Sequence, residues 1–116
     1  MSISRHKLSG STKGAPILIT GTTSTAANTL HTTSTSEGAN TWDEIHMSAF
    51  NNSTADLDLI IEYGSTSAII RQTLVSKVGA TQVLPGSIGN GGLIIKAYKG
   101  STGEVGVLGI VNRFSS

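Results

Sequence analysis

The stretch Leu57-Asp58-Leu59-Ile60-Ile61-Glu62-Tyr63 puts Leu57, Leu59, Ile61 and Tyr63 on one parity and Asp58, Ile60 and Glu62 on the other. Successive side chains of a strand point to opposite faces, so this period-2 pattern predicts a strand with one face in a core. The turn cluster Asn51-Asn52-Ser53-Thr54 precedes it, and Gly64 to Ser67 turns the chain again behind it. Ile69 to Val75 then sets Ile70 and Leu74 opposite Ile69, Arg71 and Val75, which predicts an antiparallel hairpin with Leu57–Tyr63.

The same reading extends in both directions. Upstream, Trp42 to Phe50 alternates Ile45, Met47 and Ala49 with Trp42, Glu44, His46, Ser48 and Phe50, a second half-buried strand. Ile17 to Ile19 reads as a short strand, and the Thr/Ser/Ala/Asn tract between Gly21 and Thr41 as two loops around an edge strand at Ala26 to Thr33. Downstream, Ala80 to Leu84 is a strand expected to end at Pro85 and Gly86. Gly89, Asn90, Gly91 and Gly92 supply turn chemistry before the strand Leu93 to Tyr98. Glu104 to Phe114 sets Val105, Val107 and Val111 opposite Leu108 and Ile110, so it is apolar on both faces and expected at the centre of a sheet. About eight short strands at intervals of about 8 to 14 residues predict an all-β chain, a single-domain antiparallel β-sandwich of jelly-roll-like layout. Residues 16–116 form the sandwich in this reading. Residues 1–15, with Arg5, Lys7 and Lys13 and no acidic side chain, form an extended basic N-terminal arm.

Composition agrees with that class. The 116 residues carry 31 Ser and Thr and 14 Gly, with 37% hydrophobic and only 13% charged residues. Polarity therefore resides in hydroxyls and backbone, which argues against charge-rich disorder and coiled coils. A net charge of +1 gives no field of the kind that drives phosphate recognition, so no nucleic-acid partner is expected. Apolar runs are far shorter than the roughly 20 residues of a membrane-spanning helix, so no membrane partner is expected either. Cysteine is absent, which excludes disulfides and thiolate metal sites. Arg5, His6 and Lys7 are not followed by an apolar segment of the secretory kind, so the chain is expected to be used inside a cell or to leave it by another route, such as lysis.

No residues group into catalytic chemistry. His6, His31 and His46 lack metal-ligand spacing, and no serine falls in a Gly-x-Ser-x-Gly elbow or beside an assignable histidine and acid. Asp56, Asp58 and Glu62 could attract calcium but lack the loop of a calcium site and read as a solvated strand face. Gly86 to Gly92 lacks the Gly-Lys-Ser/Thr ending of a phosphate loop and reads as a hairpin or corner. Asn51 and Asn52 open formal glycosylation sequons but read as turn residues. No catalytic residue, cofactor or metal is expected.

The polar arm Met1 to Gly14, the Thr/Ser/Asn tract Thr22 to Asn40, the Leu57 to Tyr63 strand and the closing Val105 to Phe114 strand together resemble the small capsid decoration, or cement, proteins of tailed bacteriophages. The resemblance implies a non-enzymatic virion protein, made in the host cytoplasm and bound as a homotrimer to the major capsid protein on the outer capsid surface. It implies that Arg5, Lys7 and Lys13 touch the capsid. Ile60, Ile69, Ile94 and Phe114, apolar side chains that a thin sandwich cannot cover on both faces, are the expected subunit interface. Two further roles share this composition: another virion part such as a tail, adaptor or fibre domain, and a glycan- or host-binding sandwich anchored by Trp42, Tyr63 or Tyr98.

Overall fold

A computed structural model of the chain describes residues 2–35 and 40–115. Met1, Ser116 and positions 36–39 of the Thr22–Asn40 tract lie outside the described residues. The strands are β1 (Ser2–Lys7), β2 (Ile17–Leu18), β3 (Asn28–Thr32), β4 (Thr41–Asn51), β5 (Leu57–Tyr63), β6 (Ile69–Leu74), β7 (Thr81–Gly89), β8 (Ile94–Lys99) and β9 (Val105–Ser115). One sheet has the order β1-β9-β4-β7, with β2 also on β9, and the other has the order β3-β8-β5-β6. Every pairing is antiparallel.

The chain passes from sheet to sheet at almost every connection, and only β1–β2 and β5–β6 stay within one sheet. This interleaving of two four-strand layers is the jelly roll. β1 and β2 occupy one position in it: Lys7 pairs with Ile110 and Ile17 with Val107, so residues 8–16 leave and rejoin the same ladder. Among the described residues the sandwich thus has eight strand positions built from nine strands.

Alternation decides what is buried. Ile45, Met47 and Ala49 of β4 and Leu57, Leu59 and Ile61 of β5 point inward and are closed off from solvent, where they meet Ile95, Val107 and Val111. β9 lies between β1 and β4 and is central, as its two apolar faces require. β5 and β6 form the expected hairpin, with Leu57 opposite Leu74 and Glu62 opposite Ile69. β3 is an edge strand, as its short polar sequence suggests.

Three expectations are corrected. Residues 2–7 are not a free arm: they are hydrogen-bonded along β9 from Ser2–Ser115 to Lys7–Ile110. Beyond them Leu8 is fully buried in the core, and Gly10 N–H donates to the Leu30 carbonyl at 3.0 Å, so residues 8–16 strap the edge of the other sheet. The last strand of the chain supplies the partner, and no local pattern in residues 1–15 announces it. Second, β7 does not stop at Pro85 but runs through it to Gly89. It is an edge strand whose register against β4 shifts beside Pro85, and at such a site a missing N–H costs no ladder bond. Third, Ile60 is only 2% exposed although it faces outward, flanked by its register partners Arg71 and Tyr98. It is filled in by its own sheet and is withdrawn from any subunit interface.

The β4–β9 ladder is the longest in the molecule, eleven paired positions from Thr41–Ser115 to Asn51–Val105. Gly109 sits inside it, and a Cβ there would stand 2.0 Å from the His46 carbonyl oxygen. Gly109→Ala must therefore push the two strands apart. The expected cost is about 1–3 kcal/mol, read as a lowered urea midpoint; an unchanged midpoint would mean the strands are not this close.

Candidate functional site

Among the described residues, the β1-β9-β4-β7 sheet carries more exposed large apolar side chains than the other sheet, Ile3, Leu18, Trp42, Ile88 and Ile110 against Ile69, Ile70 and Ile94. Directly paired residues share a face, so the register builds transverse rows. In the first, Ile3 pairs with Phe114 and Phe114 with Trp42. In the second, Arg5 pairs with Asn112, Asn112 with Glu44, and Glu44 with Ile88. In the third, Lys7 pairs with Ile110 and Ile110 with His46. Ile3 is 60% exposed, Ile88 58% and Trp42 39%. Trp42, Ile88 and Phe114 line a shallow apolar depression.

The polar groups of this face are tied to one another. Asn112 receives a bond from Arg5 Nε at 3.4 Å and donates through Nδ2 to Glu44 Oε1 at 3.1 Å. His46 Nε2 donates to the same oxygen at 2.8 Å. The His46 bond, then the Asn112 bond, holds the Glu44 carboxyl below its ordinary value. Lys7 Nζ donates to the Ser11 carbonyl at 2.6 Å, and Lys13 stands exposed on the turn of the 8–16 strap. Arg5, Lys7 and Lys13 therefore belong to the sheet edge and its strap.

The four side chains expected at one interface do not share a surface. Ile69 and Ile94 are exposed on the outer face of the β3-β8-β5-β6 sheet, on the parity of Glu62 and Lys96. Phe114 lies on the opposite side of the sandwich, and Ile60 is buried.

A polar cluster closes one end of the interior, unannounced by any motif. Asp43 shares the inward parity of Ile45 and is fully buried. Its register partner Arg113 donates through Nε to Oδ1 at 2.7 Å and through Nη2 to Oδ2 at 3.0 Å. Oδ2 also accepts from Ser34 N–H at 3.1 Å and from His31 Nε2 at 2.9 Å. The register of β3 on β8 shifts between Thr29 and His31, so that Leu30 and His31, adjacent in sequence, are both buried. His31 Nδ1 accepts Ser9 N–H at 3.0 Å, which places the ring proton on Nε2 toward Asp43. Both ring nitrogens are thus engaged and the ring is 1% exposed, so His31 serves to join layers and has no nitrogen to offer a substrate. The signal in the sequence was a carboxylate, Asp43, and a guanidinium, Arg113, on the buried parities of their strands.

Burial holds the His31 imidazole below its ordinary 6.5, against the pull of Asp43. Burial raises Asp43, but the bonds from Arg113 and His31 outweigh it and leave the carboxyl below its usual 3.8. In both cases the unfolded chain binds protons at a higher pH than the folded one, so stability is complete above about pH 6.5 and falls as pH falls. His31 acts first, below 6.5, and Asp43 only beneath 3.8. Urea midpoints measured from pH 8 to pH 4 should decline below 6.5, and a His31→Gln variant should lack that first decline.

The other sequence motifs resolve into structure. Asp56 accepts Ser76 N–H, Asp58 accepts the Thr73 hydroxyl and Glu62 accepts the Ser24 hydroxyl, three separate contacts. Gly91 and Gly92, at φ of 73° and 75°, turn the corner between β7 in one sheet and β8 in the other. Asn51 is buried, its amide bonded to the Ala55 and Leu74 carbonyls. Among the described residues no group of three His, Asp or Glu side chains is placed to hold a metal, and no helix is long and apolar enough to cross a membrane. No protein-family model, curated protein or solved structure matches the chain.

Proposed function

We propose that the chain is a non-enzymatic virion structural protein, a capsid decoration (cement) protein that binds the major capsid protein on the outside of the head as a trimer. The observation that carries the reading is that both outer faces of the sandwich bear uncovered apolar side chains, Ile3, Trp42 and Ile88 on one and Ile69 and Ile94 on the other. Single exposed apolar residues are ordinary, but two opposed sets suit a molecule gripped from two sides. A cement protein needs this geometry: one surface for its own copies and one for the shell, so that attachment is multivalent. The layered resemblance in sequence points the same way. Lys13 on the strap, with Lys7 held onto the strap through the Ser11 carbonyl, is the basic surface offered to an acidic shell, while Arg5 lies on the other contact surface.

The test is co-sedimentation of the purified chain with empty phage heads stripped of decoration, together with its absolute mass by light scattering. Saturable binding and a mass three times the 11.9 kDa of one chain are expected. Absence of binding overturns the reading. A Lys7/Lys13 double alanine variant should bind more weakly and with less salt dependence; unchanged binding would remove those residues from the contact. Trp42, 39% exposed beside Ile88 and Phe114, favours glycan binding as a second reading, and a shift of its fluorescence on adding glycans would support that instead.

A further inference from the structure

We propose that the outer face of the β1-β9-β4-β7 sheet is the surface between copies of this chain, with the β1 side of one copy set against the β4–β7 side of another. Of the ten large apolar side chains exposed among the described residues, Ile3, Leu18, Trp42, Ile88 and Ile110 belong to this sheet. β1 adds a second observation: all six of its residues are exposed, so the strand is held by its ladder to β9 with neither of its faces covered. A strand in that position gains most from a neighbouring chain.

Charge selects the occupant. The β1 side of the face carries Arg5 and the β4 side carries Glu44 on the same row, whereas Lys7 is turned onto the Ser11 carbonyl of the strap. The two halves are complementary to each other, the condition for a contact between copies. Register makes the match specific. Rotation about an axis parallel to β9 keeps each transverse row at its own level. Arg5 of one copy then meets Glu44 of the next, with Ile88 at the same level, and Ile3 meets Trp42. Phe114, on the central strand, points at the axis. Each copy gives its basic half to one neighbour and its acidic half to the other, which is how a closed ring is made. β4 and β9 are eleven residues long, and four strands at about 4.8 Å spacing give a whole face of roughly 700 Å², about half of it for each of two neighbours, so the ring is held by its closure and each single contact is smaller than the about 800 Å² per partner of a standard interface. The inference rests on the capsid reading only for the number of copies in the ring.

Light scattering of the full chain across a dilution series tests it, with Ile3→Asp and Ile88→Asp as variants because both side chains are more than half exposed and contribute little to the fold. Each should weaken association by about tenfold or more, with an unchanged melting temperature at dilutions where the chain is monomeric. Arg5→Glu and Glu44→Arg should each weaken it, and mixing the two single variants should restore association between them, which the bonds from Arg5 through Asn112 to Glu44 within one chain cannot explain. Trp42 emission should shift to the blue as the oligomer forms. A monomer at every concentration, or an oligomer indifferent to all four substitutions, overturns the inference. A dimer sensitive to them upholds the surface and overturns the trimer of the capsid reading, whereas an insensitive trimer does the reverse.

Discussion

Asp43→Ala is expected to destabilise the protein by about 3–5 kcal/mol, the cost of breaking a buried ion pair from one side. The substitution removes four hydrogen bonds at once and leaves the Arg113 guanidinium, the His31 Nε2–H and the Ser34 N–H without their acceptor. A domain of this size has only about 5–15 kcal/mol in total, so the variant should unfold at a much lower urea concentration. The cluster ties β3 of one sheet to β4 and β9 of the other, and its loss should also loosen the Ser9 contact on the strap. A combined Asp43→Leu, His31→Leu, Arg113→Met variant should lose less than Asp43→Ala alone, because it removes the charged and imidazole donors together with the acceptor. If the combined variant were the less stable of the two, the cluster would contribute net binding energy between the layers beyond satisfying buried charge. If Asp43→Ala cost under about 1 kcal/mol, the surface range, the cluster would not be buried in solution.

Leu8→Ala should cost about 2–5 kcal/mol, the range for emptying a fully enclosed leucine site. Leu8 has no exposed surface and belongs to the same core as Leu30, Ile45 and Ile95. The strap around it is fixed on both sides: Ser9 Oγ accepts Thr32 N–H at 2.7 Å, and Ser11 Oγ donates to the Ala15 carbonyl at 2.7 Å. A collapsing neighbour could fill part of the cavity, which sets the lower bound. Ile3→Ala, five residues earlier on exposed β1, is the control and should stay within about 0.5 kcal/mol when both variants are unfolded as monomers at low concentration. Chemical unfolding of the two variants separates the alternatives. Equal, small effects would return residues 1–15 to the status of an arm; the expected inequality places the strap in the core.

Much of the sandwich was legible because strand parity is local. Leu57–Tyr63, Trp42–Phe50 and Glu104–Phe114 declare which side chains face inward through their own alternation, and the β5–β6 hairpin follows from a short turn between two such runs. Where the reading went astray, something outside the segment decided. Pro85 stops an interior strand but not an edge strand, and edge position is a property of the sheet. Ile60 looked available because it opposes Leu59 and Ile61, yet Arg71 and Tyr98 come in from neighbouring strands to cover it. His31 lies inward only because β3 breaks register against β8.

By itself, the sequence determined the fold class, the inward and outward parities of the long strands, the central place of β9 and the cysteine-free, hydroxyl-rich character of the surface. The tertiary structure alone decided that Ser2–Lys7 pairs with a strand about a hundred residues away, that Asp43, His31 and Arg113 meet in one buried cluster, and that Ile3, Phe114, Trp42 and Ile88 gather on one face. The physical reason is range. Alternation is imposed residue by residue by backbone geometry, whereas strand partners are chosen by the total burial and hydrogen bonding of the whole assembly, which no segment carries within itself.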